Sequence, residues 1–408
     1  MAVTPAQLRE RAERDPASVD PESIGRALET NPGEADAIGD VLVTLVDARR
    51  DQKVTRAVAD RLDHRDETVR VGAVSALQTR IEEDPDVATD VVAALADLLG
   101  DEYGVARTRA GRALRAAATQ TQEVTPSVVD NLHHLLDPDN PDRLELGIDL
   151  VAIAVKSDPD TAEELFEPLL GTIHEIPEIE TGVVPTDGTG GGAAGTPHDR
   201  FEMYARDVQF HRNRLASAAA QILATCPELI WDCSDAIFSV LREVEAGAVR
   251  APLVEALGHA VEAESGGPAS MIEPLGNCLE SDDQGVAVNA AWALSVFAEF
   301  HDERVADVAV DHLDSLLELL AGDARARATS IGVLTYVCEH RLAAAERVTD
   351  ALIERLDDDA AQVRAAAALA LGYSDDDSVV PPLRELERSD PEETVRSTAA
   401  NAIDRLDG

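Results

Sequence analysis

Asp66-Glu67-Thr68-Val69-Arg70, running on to Ala73, Ala76 and Leu77, is the stretch on which the fold is decided. The same order of residues returns as Gln362-Val363-Arg364 with Ala367, Ala370 and Leu371, and as Thr394-Val395-Arg396 with Ala399, Ala402 and Ile403. Slots three, six and seven residues beyond the arginine fall on one face of a helix. Copies recur at intervals of about 32 to 40 residues, and a period of that size marks a helical solenoid. Solenoids mostly hold other molecules, so the period predicts a binding scaffold and not a catalyst.

Aligning the arginine of each copy gives Arg70, Arg107, Arg143, Arg250, Arg327, Arg364 and Arg396, with Ala287 in one intervening slot. Helix pairs can be drawn at about 20–49, 51–83, 86–120, 125–156, 158–225, 228–262, 266–300, 302–340, 343–373 and 375–406. The second helix of each pair carries the cassette. Residues 4–15 read as a leading helix that caps one end, because an open end would expose core. The early prolines Pro126, Pro274 and Pro381-Pro382 suit first helices, where a first turn tolerates them. The expectation is an all-α, right-handed α-α superhelix of about ten helix pairs. It divides into repeats 1–170, an insertion 171–199 and repeats 200–408, as one continuous array.

These residues resemble HEAT-repeat proteins. Units such as 343–406 are similar to the short HEAT-like subtype first named from phycobilisome lyases, on the turn aspartate, the Val-Arg pair and the Ala-x-x-Ala-Leu run. Units 125–156 and 158–225 match poorly. The resemblance implies that the cassette arginine pairs with the turn aspartate of a neighbouring unit. Arg70, Arg107, Arg250, Arg327, Arg364 and Arg396 are then a structural ladder, suited by the fork of the guanidinium. It also implies that the second helices line a concave face. It does not carry bilin lyase chemistry across, because repeat similarity transfers fold alone.

Hydrophobic residues make up 45% of the 408, enough for a continuous core, but only 3% are aromatic. Acids number 79 and bases 35, a formal net charge of −44; the only lysines are Lys53 and Lys156. Runs such as Asp357-Asp358-Asp359 and Asp375-Asp376-Asp377 fall at expected turns. Self-repulsion on this scale opposes a compact state in dilute buffer. At about 1 M salt the Debye length falls to roughly 3 Å and the repulsion fades. The charge therefore points to the salty cytoplasm of a halophilic archaeon. No apolar stretch approaches the roughly 18 residues of a membrane span. Met1-Ala2-Val3-Thr4-Pro5 lacks a signal-peptide pattern. Cys226, Cys233, Cys278 and Cys338 form no Cys-x-x-Cys pair and read as small buried hydrophobes.

Residues 171–199 hold the run Gly182 to Pro197, rich in glycine and threonine, which reads as a long flexible loop within one unit. Gly188-Thr189-Gly190-Gly191-Gly192 lacks the Gly-Lys-Ser/Thr ending of a phosphate loop, so no nucleotide site is expected there. No His-Glu-x-x-His or close His/Cys cluster suggests a metal, and no Gly-x-Ser-x-Gly suggests a nucleophile. No cofactor and no catalytic residue are expected. Arg107, Arg109, Arg112 and Arg115, then Arg206, Arg212 and Arg214, are the basic runs. They lie among many carboxylates, and DNA affinity falls steeply with salt. Nucleic acid is therefore the lesser alternative, with a lyase-like enzyme behind it.

Two stretches are candidates for gripping a protein partner. Trp292 occupies the slot before the second cassette alanine, where other copies hold Ser75, Arg112, Glu255 and Asn401, so it reads as outward-facing. It is either a binding anchor, with Ser295 and Glu299 further along the same face, or packed against an adjacent unit, since Ile148 and Leu369 fill the slot elsewhere. Trp231, among Leu229, Ile230, Ile237 and Phe238, reads as core. The second stretch sets Phe201, Tyr204, Phe210 and His211 among Arg200, Arg206, Arg212 and Arg214. It is either the core face of a long second helix or a basic patch for an acidic partner.

Overall fold

The computed structural model describes residues 3–49, 51–83, 86–176 and 197–407. Among these it has 22 α-helices and no strand. They fall into two compact units, Met1–Ala218 and Ala219–Gly408.

The first unit contains α1 (Pro5–Arg14), α2 (Ser23–Thr30), α3 (Ala35–Ala48), α4 (Gln52–Ala59), α5 (Glu67–Glu83) and α6 (Asp86–Asp97). It continues with α7 (Gly104–Thr121), α8 (Pro126–Val129), α9 (Pro141–Ser157), α10 (Ala162–Glu175) and the start of α11 (Pro197–Thr225). After the end of α11, the second unit has α12 (Leu229–Asp232), α13 (Ser234–Glu243), α14 (Gly247–Ala263), α15 (Ile272–Cys278) and α16 (Gln284–Asp311). Then come α17 (Leu313–Leu319), α18 (Ala324–His340), α19 (Leu342–Glu354), α20 (Ala361–Leu371), α21 (Val380–Ser389) and α22 (Glu393–Asp407). His301 breaks α16 with non-helical φ −142° and ψ 45°, so 284–300 closes one pair and 302–311 opens the next.

Cassette helices stack on one another: α3, α5, α7 and α9 in the first unit, and α14, α16, α18, α20 and α22 in the second. Their apolar slots are the core. Val69, Ala73, Ala76 and Leu77 are fully buried, as are Val363, Ala367, Ala370 and Leu371. Small side chains let the helix backbones approach. Between α3 and α5 even alanine is too large: a Cβ on Gly72 would collide with the Cα of Gly39. The leading helix α1 packs on α3 and is held at its start by a capping box of Thr4 and Gln7. The poorly matching unit at 125–156 has a first helix, α8, of a single turn, opened by Pro126.

The cassette arginine performs the same task in copy after copy. Its Nη1 donates to a carbonyl of its own turn: Arg70 to His64 (2.8 Å), Arg107 to Asp101 (2.7 Å), Arg364 to Asp358 (2.8 Å) and Arg396 to Asp390 (2.7 Å). Its remaining nitrogens reach the turn aspartate of the next unit. Arg70 grips Asp101 at 2.6 and 2.9 Å, Arg327 grips Asp358 at 2.8 and 2.9 Å, and Arg364 grips Asp390 at 2.6 and 3.0 Å. The same carboxylates fix their own turns by accepting the N–H of Tyr103, Ala360 and Glu392. Arg143 pairs within its own turn, with Asp137 at 2.9 Å, and Arg250 turns to the Sγ of Cys278 at 3.0 Å.

Of the expected insertion, residues 171–175 belong to α10 and 197–199 to α11. The run from 177 to 196 lies outside the described residues. Trp231 corrects the sequence reading: it is 49% exposed. The helix α12 is only one turn long, and Leu229 and Ile230 use its inward face.

Breaking a buried ion pair by removing one partner costs about 3 kcal/mol or more. The Asp390 side chain is 2% exposed and that of Arg364 11%, so Asp390→Ala should lower thermal stability by that order. Hydrogen bonding to Arg364 first, then the Glu392 N–H, hold the Asp390 carboxyl below its usual range against burial. A lowered folded pKa stabilises above the unfolded value of about 3.9 and stops doing so as pH falls through the folded one. Wild type should therefore lose more melting temperature than Asp390→Ala between about pH 5 and pH 2; equal losses would contradict the role of the pair.

Candidate functional site

On α14, α16, α18, α20 and α22 the slot five residues past the cassette position stands out of the core. In the second unit it holds Glu255, Trp292, Gly332, Leu369 and Asn401, all half-buried or exposed. In the first unit Ser75 and Arg112 are likewise accessible, whereas Ile148 is buried.

Trp292 is half-buried and lies against α14. A Cβ added to Gly258 would collide with its six-membered ring, and its rings stand 4.6 Å from the imidazole of His259 at 59°. The indole thus packs into the preceding unit while part of it stays accessible. Ser295 lies one turn on, its hydroxyl donating to the Trp292 carbonyl at 2.6 Å and its Cβ packed near Gly332. Glu299 is exposed. Glu255 meets Arg325 at 3.4 Å, and the same guanidinium donates to Asn289 Oδ1 at 2.9 Å. Asn289 in turn donates to the Ala251 carbonyl at 3.0 Å. One polar chain therefore crosses α14, α16 and α18.

Sequence reasoning missed a second row, nine residues past the cassette position: His259, Val296, Tyr336, Tyr373 and Arg405. Arg405 lies over the Tyr373 ring at 3.9 Å from its centre. Burial, then the charges of Glu299 and Glu339, raise the Tyr336 pKa. Leu369, on α20, is 41% exposed, and Tyr373 lies in the turn just past the end of that helix. The signal existed in the repeat register, but it needed every copy aligned two residues beyond the motif's last slot.

The basic stretches of the first unit are taken up by acids. Arg112 meets Asp142 at 3.2 Å, and Arg115 meets Asp149 at 3.1 Å. Arg214 meets Asp149 at 2.6 Å and Glu145 at 3.6 Å, and Arg109 donates to the Ser75 hydroxyl at 2.7 Å. Arg212 is 3% exposed and its Nε donates to the Ile173 carbonyl at 3.4 Å, so it belongs to the interior and not to a surface patch. Arg206 is exposed. Phe210 is 55% exposed with Arg214 over its ring at 5.8 Å, while His211 is buried. The side chains of Phe201 and Tyr204 lie outside the described residues. This helix face is thus split between interior and surface.

All four cysteines are buried. Among the described residues no three His, Cys, Asp or Glu side chains converge to hold a metal ion, and no helix is long and apolar enough to cross a membrane.

A family model described as HEAT repeats matches residues 349–408. No curated protein matches the chain. The structure is similar to a solved engineered protein at TM-score 0.53, with 19% identity over 98% of this chain and 99% of that one. It is similar, at TM-score 0.56, to a structure from work on a phosphorylation switch controlling the interaction between cadherin and beta-catenin. That likeness has 14% identity and covers 98% of this chain and 82% of the other. At such identities the shared property is the fold, an all-α stack of HEAT/armadillo-type helix pairs.

The Gly258–Trp292 contact makes a direct demand. Overpacking a fitted contact costs about 1–3 kcal/mol, so Gly258→Ala should lower the melting temperature and displace the indole. In a Trp231→Phe background, which leaves one tryptophan, its emission should shift to the red. Unchanged melting and emission would show that the contact does not hold the ring.

Proposed function

We propose that the protein is a non-enzymatic interaction scaffold that grips one or more protein partners on the cassette-helix face of its second unit. One observation carries this reading. A chain with 3% aromatic residues sets Trp292 and Tyr336 on neighbouring cassette helices and Tyr373 just past the end of the next, which carries Leu369, all half-buried or exposed. Aromatic side chains on a rigid helical surface are the usual anchors of protein interfaces. Glu255, Ser295 and Glu299 lie beside them and form a polar margin. The beta-catenin likeness supports the reading at the level of fold, since the interaction named there is with another protein, cadherin.

The nucleic-acid alternative is weakened by the first unit. Arg112, Arg115 and Arg214 each already face a carboxylate. A phosphate backbone would have to displace those acids while the excess negative charge repels it. The same −44 charge supports a molar-salt cytoplasm as the working environment. In such salt long-range steering is screened, so short-range apolar contacts must carry the affinity.

Two measurements test this. Melting temperature should rise steadily from dilute buffer to molar KCl; a flat or falling curve removes the salt adaptation. Leu369→Asp and Tyr373→Ser, compared with wild type in pulldowns from lysate kept at molar KCl, should lose a specific partner with little change in melting for Leu369→Asp. Identical captured sets would move the binding face elsewhere.

A further inference from the structure

We infer that the first unit carries a small anion site, distinct from the partner face, that takes a phosphate monoester of low molecular mass. Its frame is the turn at 60–66, between α4 and α5, facing α2. Arg61, His64 and Arg65 from the turn, with Gly25, Leu28 and Glu29 from α2, line a cleft of about 500 Å³. That volume lies within the range of about 300–1,000 Å³ usual for small-molecule sites.

The turn is rigid. Leu62 is buried beneath it, and Arg70 donates to the His64 carbonyl at 2.8 Å. The Arg61 guanidinium rests on α2 where there is no side chain: a Cβ on Gly25 would stand 2.7 Å from Nη2. Among the described residues its Nε, shut away from solvent, has no hydrogen-bond partner, and Nη1 donates to the adjoining Asp60 carbonyl at 3.0 Å. His64 Nδ1 accepts the Asp66 N–H at 3.0 Å, so in the neutral ring the proton sits on Nε2, which becomes a donor. The cleft is therefore built of donors.

The contrast with its neighbours is what makes the arrangement informative. Arg26 pairs with Asp20, Arg49 with Asp51 and Arg70 with Asp101. Among the described residues Arg61, His64 and Arg65 have no carboxylate within ion-pair distance, in a chain whose acids outnumber its bases by 79 to 35. Two guanidinium forks and an imidazole N–H match the several oxygens and double charge of a phosphate monoester better than a single chloride. Glu29, the one acid lining the cleft, offers an acceptor to a hydroxyl or amine on the organic part.

Calorimetric titration of the full chain with glycerol 2-phosphate in molar KCl tests the site, with glycerol as control. Saturable one-site binding is expected, with glycerol silent. In protein labelled with ¹⁵N at arginine, the Arg61 Nε–H resonance should shift on titration. Arg61→Gln with Arg65→Gln should weaken binding at least tenfold, and Gly25→Ala should weaken it several-fold by displacing the guanidinium. Arg26→Gln, on α2 but paired with Asp20, should leave it unchanged. Arg65→Gln alone, at an exposed position, keeps the comparison available if Arg61 variants do not fold. No saturable heat in wild type, or full affinity retained without both arginines, would mean an adventitious ion only and would overturn the site. Either result leaves the partner face of the second unit untouched.

Discussion

The structure depends on a guanidinium that binds two successive turns at once. Arg364 holds the carbonyl of Asp358 in its own turn and the carboxylate of Asp390 in the next. Asp390 meanwhile accepts the Glu392 N–H and so shapes the turn it belongs to. An alanine-rich interface is slippery: small side chains allow close approach but offer few interlocking shapes. The bidentate pair supplies the missing register, because a one-turn slide between neighbouring cassette helices would leave a buried charge without its partner. Where the pair is absent, as at Arg250, glycine and tryptophan take over, and α14 and α16 are keyed by Trp292 against Gly258.

The strong acid excess acquires a spatial meaning from this arrangement. Arginines are few, and the structure puts many of them where a carboxylate or a carbonyl already waits. Turn aspartates serve two purposes in one atom group: they fix a turn and receive the preceding arginine. The arginines of the first unit's cassette face are neutralised in the same way. On the function proposed above, short-range contacts are then the means of recognition in the second unit. The turn at 60–66 stands apart, since Arg61 and Arg65 line a cleft with Glu29 and, among the described residues, neither is in an ion pair.

Much of the architecture could be read from the chain. The recurrence of Val-Arg with small apolar residues fixed the boundaries of the helix pairs to within a few positions, including the break near His301. Of the ladder arginines that the resemblance implies, Arg70, Arg327 and Arg364 reach the turn aspartate of the next unit, whereas Arg250 turns to Cys278. The readings of single aromatic residues fared worse. Trp231 lies in a hydrophobic stretch yet is exposed, because Leu229 and Ile230 already fill the inward face of the one-turn α12. Phe210 and Arg212 are two residues apart, and one is exposed while the other is interior. Tyr336 and Tyr373 sit beyond the motif and were passed over.

The sequence by itself determined the periodic part of this protein: helix pairs, their pitch, and which face of each cassette helix is apolar. These follow from local spacing, because 3.6 residues per turn and a fixed repeat leave little freedom. Tertiary structure alone decided what the outward slots touch. Neighbouring helices are offset along their axes, so equal slots do not meet. Trp292 falls on Gly258, and Arg325 reaches past Asn289 to Glu255, seventy residues earlier. That offset is set by how deeply each glycine and alanine lets the next helix settle, a sum over many contacts that no single motif displays.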